Sequence, residues 1–404
     1  MHILLIHQIF VALDEPGGTR HHEIARHLAG QGHKVTVIGS PVSYLSGTDQ
    51  KDHPRRETDD LGVTIIRSWT LPTMNRSFIW RVFSFLSFMI SSFFNGLLIR
   101  KVDLVWGTTP PIFQAPTAWA LARLKGVPFL LEVRDLWPAF AVAVGVLRNK
   151  TLIRMSEWLE RFLYRHADHV LVNSPGYLDH VKVRGAERVS LIPNGADPEM
   201  FDPDADGAAF RQAHNLENHF VVLYAGAHGL SNDLDVVLNA AERLREDSTI
   251  QIILLGDGKE KPRLQTSAQA RRLENIRFLP PVPKTGMREA LAAADACLAI
   301  LQPIEMYKTT YPNKVFDTMA AGRPVILAID GVIRKVVEDA DAGVAVAPGD
   351  PAALAEAIRE LASDPERCKT MGSNGRKAVE MQFSRKILAD EFTTLLETVR
   401  RRNA

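Results

Sequence analysis

Cysteine is almost absent from this chain. Cys297 and Cys368 are the only two among 404 residues, which excludes a disulfide framework and a zinc site built on paired thiolates. A reducing compartment is expected. Excess charge of either sign is missing too: 48 Lys and Arg balance 47 Asp and Glu, for a formal net charge of +1. No global field draws a polyanion, and no nucleic-acid partner is expected. The chain has no internal repeat and no low-complexity tract. Its first residues, Met1-His2-Ile3-Leu4-Leu5-Ile6-His7, lack the basic start, longer apolar run and cleavage site of a signal peptide. They read as a short buried strand, and a cytoplasmic location is expected. Carboxylates paired for a divalent cation are also lacking, since no Asp-x-Asp stands at a strand end. Asp202, Asp204 and Asp206 alternate, but in a turn-rich stretch, and read as solvated. The expectation is no obligatory metal and no other cofactor.

What is present is apolar content. Hydrophobic residues make up 46% of the chain and charged ones 24%, enough for two sizeable cores. The length suggests two or three domains. Short apolar runs at 2–6, 34–38, 63–66, 104–106, 129–133 and 169–172 alternate with helical patterns, and a second series follows at 220–224, 250–254, 276–279, 296–300, 324–327 and 343–346. This alternation predicts an α/β protein with parallel sheets covered on both faces. Twelve strands are too many for one doubly wound sheet of usual size, and they split into two sets of six. The boundary falls in 193–207, rich in Pro, Asp and Gly. The predicted organisation is an N-terminal domain over 1–195, a linker over 196–207 and a C-terminal domain over 208–383. A helix over 384–404 then returns toward the N-terminal domain.

Several places carry a ligand-binding pattern. After the first strand, Gly17-Gly18-Thr19-Arg20-His21-His22 opens a helix. Glycines there let the backbone approach a ligand, and the N–H groups of a helix start attract anions. A plain tight turn is the alternative, because the spaced third glycine of a dinucleotide signature is absent. In the second half, a polar loop from Tyr307 runs into a short helix that stops at Gly322. Its start near Asn313 offers N–H groups to a diphosphate. Asp317, one turn in, is placed to accept from both hydroxyls of a ribose; an ordinary surface Asp is the alternative. Asp135 follows an apolar strand, where α/β ligand sites gather, with turn capping as its alternative role. Arg134 beside it is placed to reach phosphate or acceptor.

The run Tyr307-Lys308-Thr309-Thr310-Tyr311-Pro312-Asn313-Lys314-Val315-Phe316-Asp317 resembles the donor-binding motif of glycosyltransferase family 4, the retaining GT-B transferases. Other pieces match in the same order. Leu191-Ile192-Pro193-Asn194-Gly195 resembles the family's interdomain signature, and Leu255-Gly256-Asp257-Gly258 its strand-end turn. The stretch 275–282 resembles the strand and loop that hold the nucleotide base. Within the family, Glu132-Val133-Arg134-Asp135-Leu136-Trp137-Pro138 resembles a bacterial subgroup that builds surface polysaccharides and includes fucosamine-type transferases.

The resemblance implies two doubly wound Rossmann-like domains facing across a cleft. It implies retaining transfer from a nucleotide diphosphate sugar, with UDP the favoured nucleotide, to a lipid-linked acceptor in O-antigen, capsule or exopolysaccharide assembly. Together with the residue patterns above, it places Gly18, His228, Gly256, Val282, Thr309, Tyr311, Asn313, Lys314 and Asp317 at the expected donor site. From their positions, Gly17, Arg20 and His21 are expected to meet the acceptor, and Asp135, Arg134 and Lys308 to serve the reaction. The chain departs from the family at three positions. Thr309 stands where the first of two glutamates is usual, and Ala227 and Asn232 stand where Arg and Lys hold the diphosphate. Lys308, Lys314 and His228 are the nearest candidates to compensate, since an ammonium serves as a point charge for phosphate. These departures keep open a non-catalytic nucleotide-sugar-binding or scaffold protein.

Residues 82–99 carry no charge, and Ser84, Ser87, Ser91 and Asn95 form one narrow polar stripe at helical spacing. The length just reaches the lower range of a membrane span. Arg76, Arg81, Arg100 and Lys101 flank the segment. The expectation is a helix lying on the inner face of the cytoplasmic membrane, with Phe85, Phe88 and Met89 among its lipid contacts. A buried core helix and a true span are the alternatives.

Overall fold

The computed structural model describes residues 1–12, 15, 17–42, 54–73 and 78–402. Arg76 lies outside them. The chain forms two compact units, one from Met1–Ala12, Gly18–Pro193 and Leu388–Ala404, the other centred on Asn194–Ile387.

The first unit carries an eight-stranded sheet of β1 (His2–Ile6), β2 (Lys34–Gly39), β3 (Arg56–Thr58), β4 (Thr64–Arg67), β5 (Leu104–Thr109), β6 (Phe129–Val133), β7 (His169–Val172) and β8 (Val189–Leu191). Their order is β3-β4-β2-β1-β5-β6-β7-β8. All neighbours are parallel except the β3–β4 pair. The alternation predicted six of these strands; β3 and β8 are three-residue edge strands, too short to show a period. The second unit carries β9 (Phe220–Ala225), β10 (Ile250–Leu255), β11 (Ile276–Leu279), β12 (Ala296–Ile300), β13 (Val325–Ala328) and β14 (Gly343–Ala345). They run in the order β11-β10-β9-β12-β13-β14, all parallel. Strand order reverses between β1 and β5 and again between β9 and β12. Beyond the carboxyl ends at such a switch point, crossover helices diverge and leave room for a ligand.

Apolar side chains on one face of the first sheet, among them Ile3, Leu5, Trp106 and Leu130, pack under two helices. One is α1 (Arg20–Gly30), which contributes Ile24 and Leu28. The other side of the sheet is covered by α2 (Phe78–Leu98), α3 (Gln114–Lys125) and α4 (Lys150–His166), which lie side by side with α3 in the middle. In the second unit, α5 (Asn313–Ala320) sends Val315, Phe316, Met319 and Ala320 into the core. The chain ends in α6 (Arg385–Arg402). Its Leu388, Phe392, Leu396 and Val399 join the core of the first sheet beside α1. The Phe392 ring lies 4.6 Å from that of Trp106.

In α2 the polar stripe faces inward and the apolar side chains face out. Ser87 Oγ accepts from Leu71 N at 2.9 Å, Ser91 Oγ donates to Trp69 O at 2.6 Å, and Asn95 Nδ2 donates to Ser68 Oγ at 2.7 Å. Beyond Ser68, whose N–H still pairs with Gly39 O of β2, the chain leaves the sheet, and the Trp69 carbonyl and Leu71 N–H find their partners in this stripe. One of the expected lipid contacts, Phe88, is corrected by this orientation, and Phe85 is half-buried. Phe88 is completely buried, and Phe85 stacks on Phe113 at 6.0 Å. The outward residues are Ile79, Trp80, Phe83, Ile90, Phe94, Leu97 and Leu98. The helix is long and apolar enough to cross a membrane, but its inward face is packed and hydrogen-bonded within the unit.

Candidate active site

The second unit gathers its chemistry at the switch point. α5 starts immediately after Pro312, and no side chain caps its first turn, so its leading N–H groups have no side-chain partner. It stops at Gly322, whose positive φ of 65° closes the helix as only glycine does at ease. Its core face is apolar; Lys314 and Asp317, three apart, share another face. Asn194 Nδ2 donates to Tyr311 O at 3.0 Å, tying down the loop before the helix. The Tyr311 ring leans edge-on against Phe316 at 5.6 Å.

Lys314 is the dominant electrostatic feature. Its Nζ is buried and has no hydrogen-bond partner among the described residues. It lies 4.0 Å above the centre of the Tyr224 ring and points at Gly226, where even a Cβ would stand 3.0 Å from it. Burial pushes its pKa from 10.5 down to about 7, because a desolvated ammonium is costly without an anion. Two acceptors share this condition: Asn313 Oδ1 and Asp317 Oδ1 are buried and unpartnered. The other oxygen of Asp317 is held by Lys284 at 2.5 Å, whose ammonium also lies 5.0 Å from the centre of the Phe201 ring. Sequence reasoning did not find Lys284. It sits in an unremarkable short turn after Val282-Pro283 and meets Asp317 only through the fold.

The loops after β9 and β10 are clamped together. His228 N donates to Asp257 O at 2.8 Å and Gly226 N to Leu255 O at 3.0 Å. A Cβ on Gly256 would stand 1.9 Å from the Gly226 carbonyl, so that position admits only glycine. Lys261 Nζ crosses to the carbonyls of Gly256 and Leu279 at 2.7 and 2.9 Å. His228 is fully buried, and neither ring nitrogen has a partner among the described residues. Burial, then Lys261, lower its pKa to about 4, so it is neutral at pH 7 and can offer either a donor or an acceptor. At the positions of the departures, the Ala227 carbonyl accepts from Tyr224 Oη at 2.7 Å, and Thr309 Oγ1 donates to Met306 O at 2.6 Å. Lys308 is exposed and paired with Glu305 at 2.6 Å; among the described residues no hydrogen bond or ion pair joins it to the Lys314 cluster. Val282 is half-buried against the core.

In the first unit the residues expected to meet an acceptor are drawn inward by Glu132. This carboxylate, on β6, is completely buried. It accepts from Arg20 Nε at 3.1 Å, His21 Nε2 at 2.8 Å and Trp106 Nε1 at 3.1 Å. Burial alone would raise its pKa, but His21 and Arg20 outweigh that and hold it well below the usual carboxylate range. Arg20 also donates to the carbonyls of Pro193 and Ile192 at 2.6 and 3.1 Å. It is therefore a buried tie between β6 and the end of the unit, not an open acceptor contact. His21 stacks on His7 with centroids 3.9 Å apart; burial lowers its pKa to about 4, so it is neutral. An acid at an inward position of an apolar strand was the available signal, since it demands partners. Gly17 and Gly18 are exposed, and nothing lies within 4 Å of a Cβ built on Gly18.

Asp135, just past β6, keeps an exposed side chain. The protein around it nonetheless desolvates its carboxyl and raises the pKa to about 6, with Arg134 pulling it down; its remaining contact with water limits that rise. Its carbonyl, not its side chain, accepts from Trp137 N. Arg134 donates to Pro110 O at 2.7 Å. Among the described residues no group of three or more His, Cys, Asp or Glu is placed to hold a metal ion.

Two family profiles match the chain. The one described as glycosyl transferase 4-like domain covers residues 17–195, and the one described as glycosyl transferases group 1 covers 206–378. A protein of Escherichia coli (strain K12) named for colanic acid biosynthesis, the glycosyl transferase WcaI, is 28% identical over 320 residues, spanning 76% of this chain and 78% of that one. Among solved structures, sucrose-phosphate synthase from Thermosynechococcus elongatus superposes with a TM-score of 0.81 at 19% identity, covering 98% of both chains. Anabaena HepE, solved with UDP, gives 0.72 at 17% identity, covering 98% of this chain and 100% of that one. Two parallel doubly wound sheets, one family profile on each half and a glycosyltransferase relative across most of the length agree: the chain belongs to the GT-B superfamily of glycosyltransferases.

Proposed function

We propose that this glycosyltransferase moves a sugar, with retention, from a UDP-sugar to a lipid-linked acceptor in bacterial surface polysaccharide assembly. The observation that carries the donor reading is the set of buried, unpartnered polar atoms around α5: Lys314 Nζ, Asn313 Oδ1 and Asp317 Oδ1. A buried ammonium without an anion is costly, and a diphosphate supplies one. In this reading Lys314 and the open first turn of α5 take the diphosphate, with Lys314 in the place of the missing Arg and Lys. Asp317 Oδ1 accepts from the ribose, and neutral His228 contacts the donor from the β9 loop. Gly256, Val282, Thr309 and Tyr311 complete the donor side. UDP is favoured because HepE, a structural neighbour, is solved with it. The polysaccharide setting is favoured by the relative named for colanic acid biosynthesis. The fucosamine-type motif favours an amino-deoxysugar.

As the bond from the anomeric carbon to the phosphate oxygen breaks, negative charge grows on the leaving diphosphate. Lys314 and the helix N–H groups stabilise it there without metal. The acceptor hydroxyl attacks the same face of the sugar, and its proton passes to the leaving phosphate. Asp135 and Arg134 orient the acceptor at the end of β6, and Gly17 and Gly18 offer it open backbone. The apolar outer face of α2 favours work at the inner face of the cytoplasmic membrane.

A panel of UDP-sugars incubated with lipid-linked acceptors, read by mass spectrometry with and without EDTA, tests the proposal. Transfer that survives chelation is expected. Asp317→Ala should weaken UDP binding by more than about tenfold, roughly 1.4 kcal/mol. The loss of a carboxylate at Thr309 favours a second reading, a non-catalytic nucleotide-sugar-binding protein. Tight UDP binding without turnover on any acceptor would select it, and turnover lost in EDTA would refute metal independence.

A further inference from the structure

We infer that the first unit docks on an anionic lipid bilayer through two rails of outward apolar side chains, α2 and α4, set on either side of α3. The inference deepens the membrane-surface reading above by naming the docking surface. Phe94 is 62% exposed and Leu98 77% on one rail; Met155 is 62% and Trp158 64% on the other. The rails belong to one layer. Lys125, at the end of α3, donates to the carbonyls of Leu97 and Ile99 at the end of α2. Arg123, two residues earlier, donates to His166 O at the end of α4. The three helices therefore end level with one another. Trp119 of α3 meets Phe162 of α4 edge-on at 4.8 Å, and Phe162 stacks under Trp158 at 5.6 Å. The exposed tryptophan is thus braced from inside the layer.

The outward set on α2 is fixed by construction. A helix with a polar stripe on an ordinary soluble domain turns that stripe to water. Here the stripe is spent on the 68–71 segment. Rotating α2 to hide its phenylalanines would break those bonds and expose Phe88, so no cheap rearrangement removes the apolar face.

Charge selects the occupant. Neither α2 nor α3 contains an Asp or Glu, while Arg81, Arg100, Lys101, Arg123 and Lys125 lie on or just beyond them. In α4, Lys150, Arg154, Arg161 and Arg165 outnumber Glu157 and Glu160, and Glu160 is buried against Arg184 and His180. A second copy of the chain would bring this patch against itself in a twofold contact, cation facing cation. An anionic headgroup layer meets the basic residues with opposite charge while the aromatic and aliphatic tips enter the acyl boundary. Tryptophans suit that depth.

Flotation of the full chain with phosphatidylglycerol-containing vesicles, beside pure phosphatidylcholine vesicles, tests this. Binding is expected to the anionic vesicles and to fall at least about fivefold between low and high salt. Phe94→Glu with Leu98→Glu, and separately Met155→Glu with Trp158→Glu, should each reduce partition about tenfold. All four positions point outward, so melting temperature should stay near that of the parent. A parent that stays soluble, an α4 variant that floats like the parent, or a concentration-dependent dimer in sedimentation that either variant abolishes would each overturn the inference. UDP calorimetry on the same samples keeps the two readings apart. Loss of nucleotide binding in the parent sinks the donor assignment, and flotation alone judges this one.

Discussion

At the scale of single residues, Lys314 sets the sharpest expectations. Burial holds its pKa near 7 in the ligand-free protein, and a diphosphate beside it restores the charge. UDP binding should therefore take up a proton above pH 7, and affinity should fall as pH rises from 7 toward 9, by up to about tenfold per unit. Calorimetry in buffers of different ionisation enthalpy measures both; pH-independent affinity without proton uptake would refute the role. Lys314→Met should move binding and stability in opposite directions. Affinity for UDP drops at least about tenfold, while the melting temperature rises by about 2–4 °C per kcal/mol of relieved desolvation. The sign follows from linkage. A lysine whose folded pKa lies below its unfolded value near 10.4 costs the folded state more as pH falls from about 10 toward 7, and the methionine variant should lose that slope. Glu132 is the opposite kind of residue. Glu132→Gln leaves the buried Arg20 guanidinium without its counter-charge, and about 3–5 kcal/mol of stability should be lost in denaturant titration. The Asn313-Lys314-Asp317 constellation was legible in the sequence because its members lie within one helix turn. Lys284 and the inward pull of Glu132 were not, since Lys284 is 33 residues from Asp317 and Glu132 is 112 from Arg20.

At the scale of elements, periodicity tells that a helix has two faces but not which one the fold will use. The serine stripe of α2 was visible at its three- and four-residue spacing. Its direction depended on a partner segment, 68–71, whose Trp69 carbonyl and Leu71 N–H bond to the helix. A stripe of hydroxyls satisfies those groups, whereas phenylalanines would bury them without bonds. Ser87→Ala separates the two orientations. Alanine is the better helix former, so on a solvated face it would stabilise slightly. Here it strands Leu71 N–H, and a loss of about 1–3 kcal/mol is expected in urea titration. A gain in stability would show that the stripe faces water. The edge strands β3 and β8 were missed for a different reason: three residues carry too little pattern to distinguish a strand from a loop, and their pairing comes from neighbours already in the sheet.

For the whole molecule, the alternation of strands and helices announced two doubly wound sheets, and the amphipathic last segment announced a return to the N-terminal domain, which makes the first unit discontinuous in sequence. Its core is completed by α6 after nearly two hundred residues spent in the second unit. Trp106 is fully buried, with the His21 ring of α1 at 5.3 Å and the Phe392 ring at 4.6 Å. Phe392→Ala should cost the first unit about 3–5 kcal/mol. All six tryptophans, at 69, 80, 106, 119, 137 and 158, belong to the first unit, so their fluorescence reports its unfolding alone, while far-ultraviolet circular dichroism reports both units. In the variant the fluorescence midpoint should move to lower denaturant and separate from the later part of the dichroism curve. UDP acts on the other unit in the proposed donor site, so it should shift the dichroism transition upward and leave the displaced fluorescence transition in place. A variant whose two signals still coincide, both moved equally by UDP, would mean that the units unfold as one and that the role of α6 is not confined to the first core.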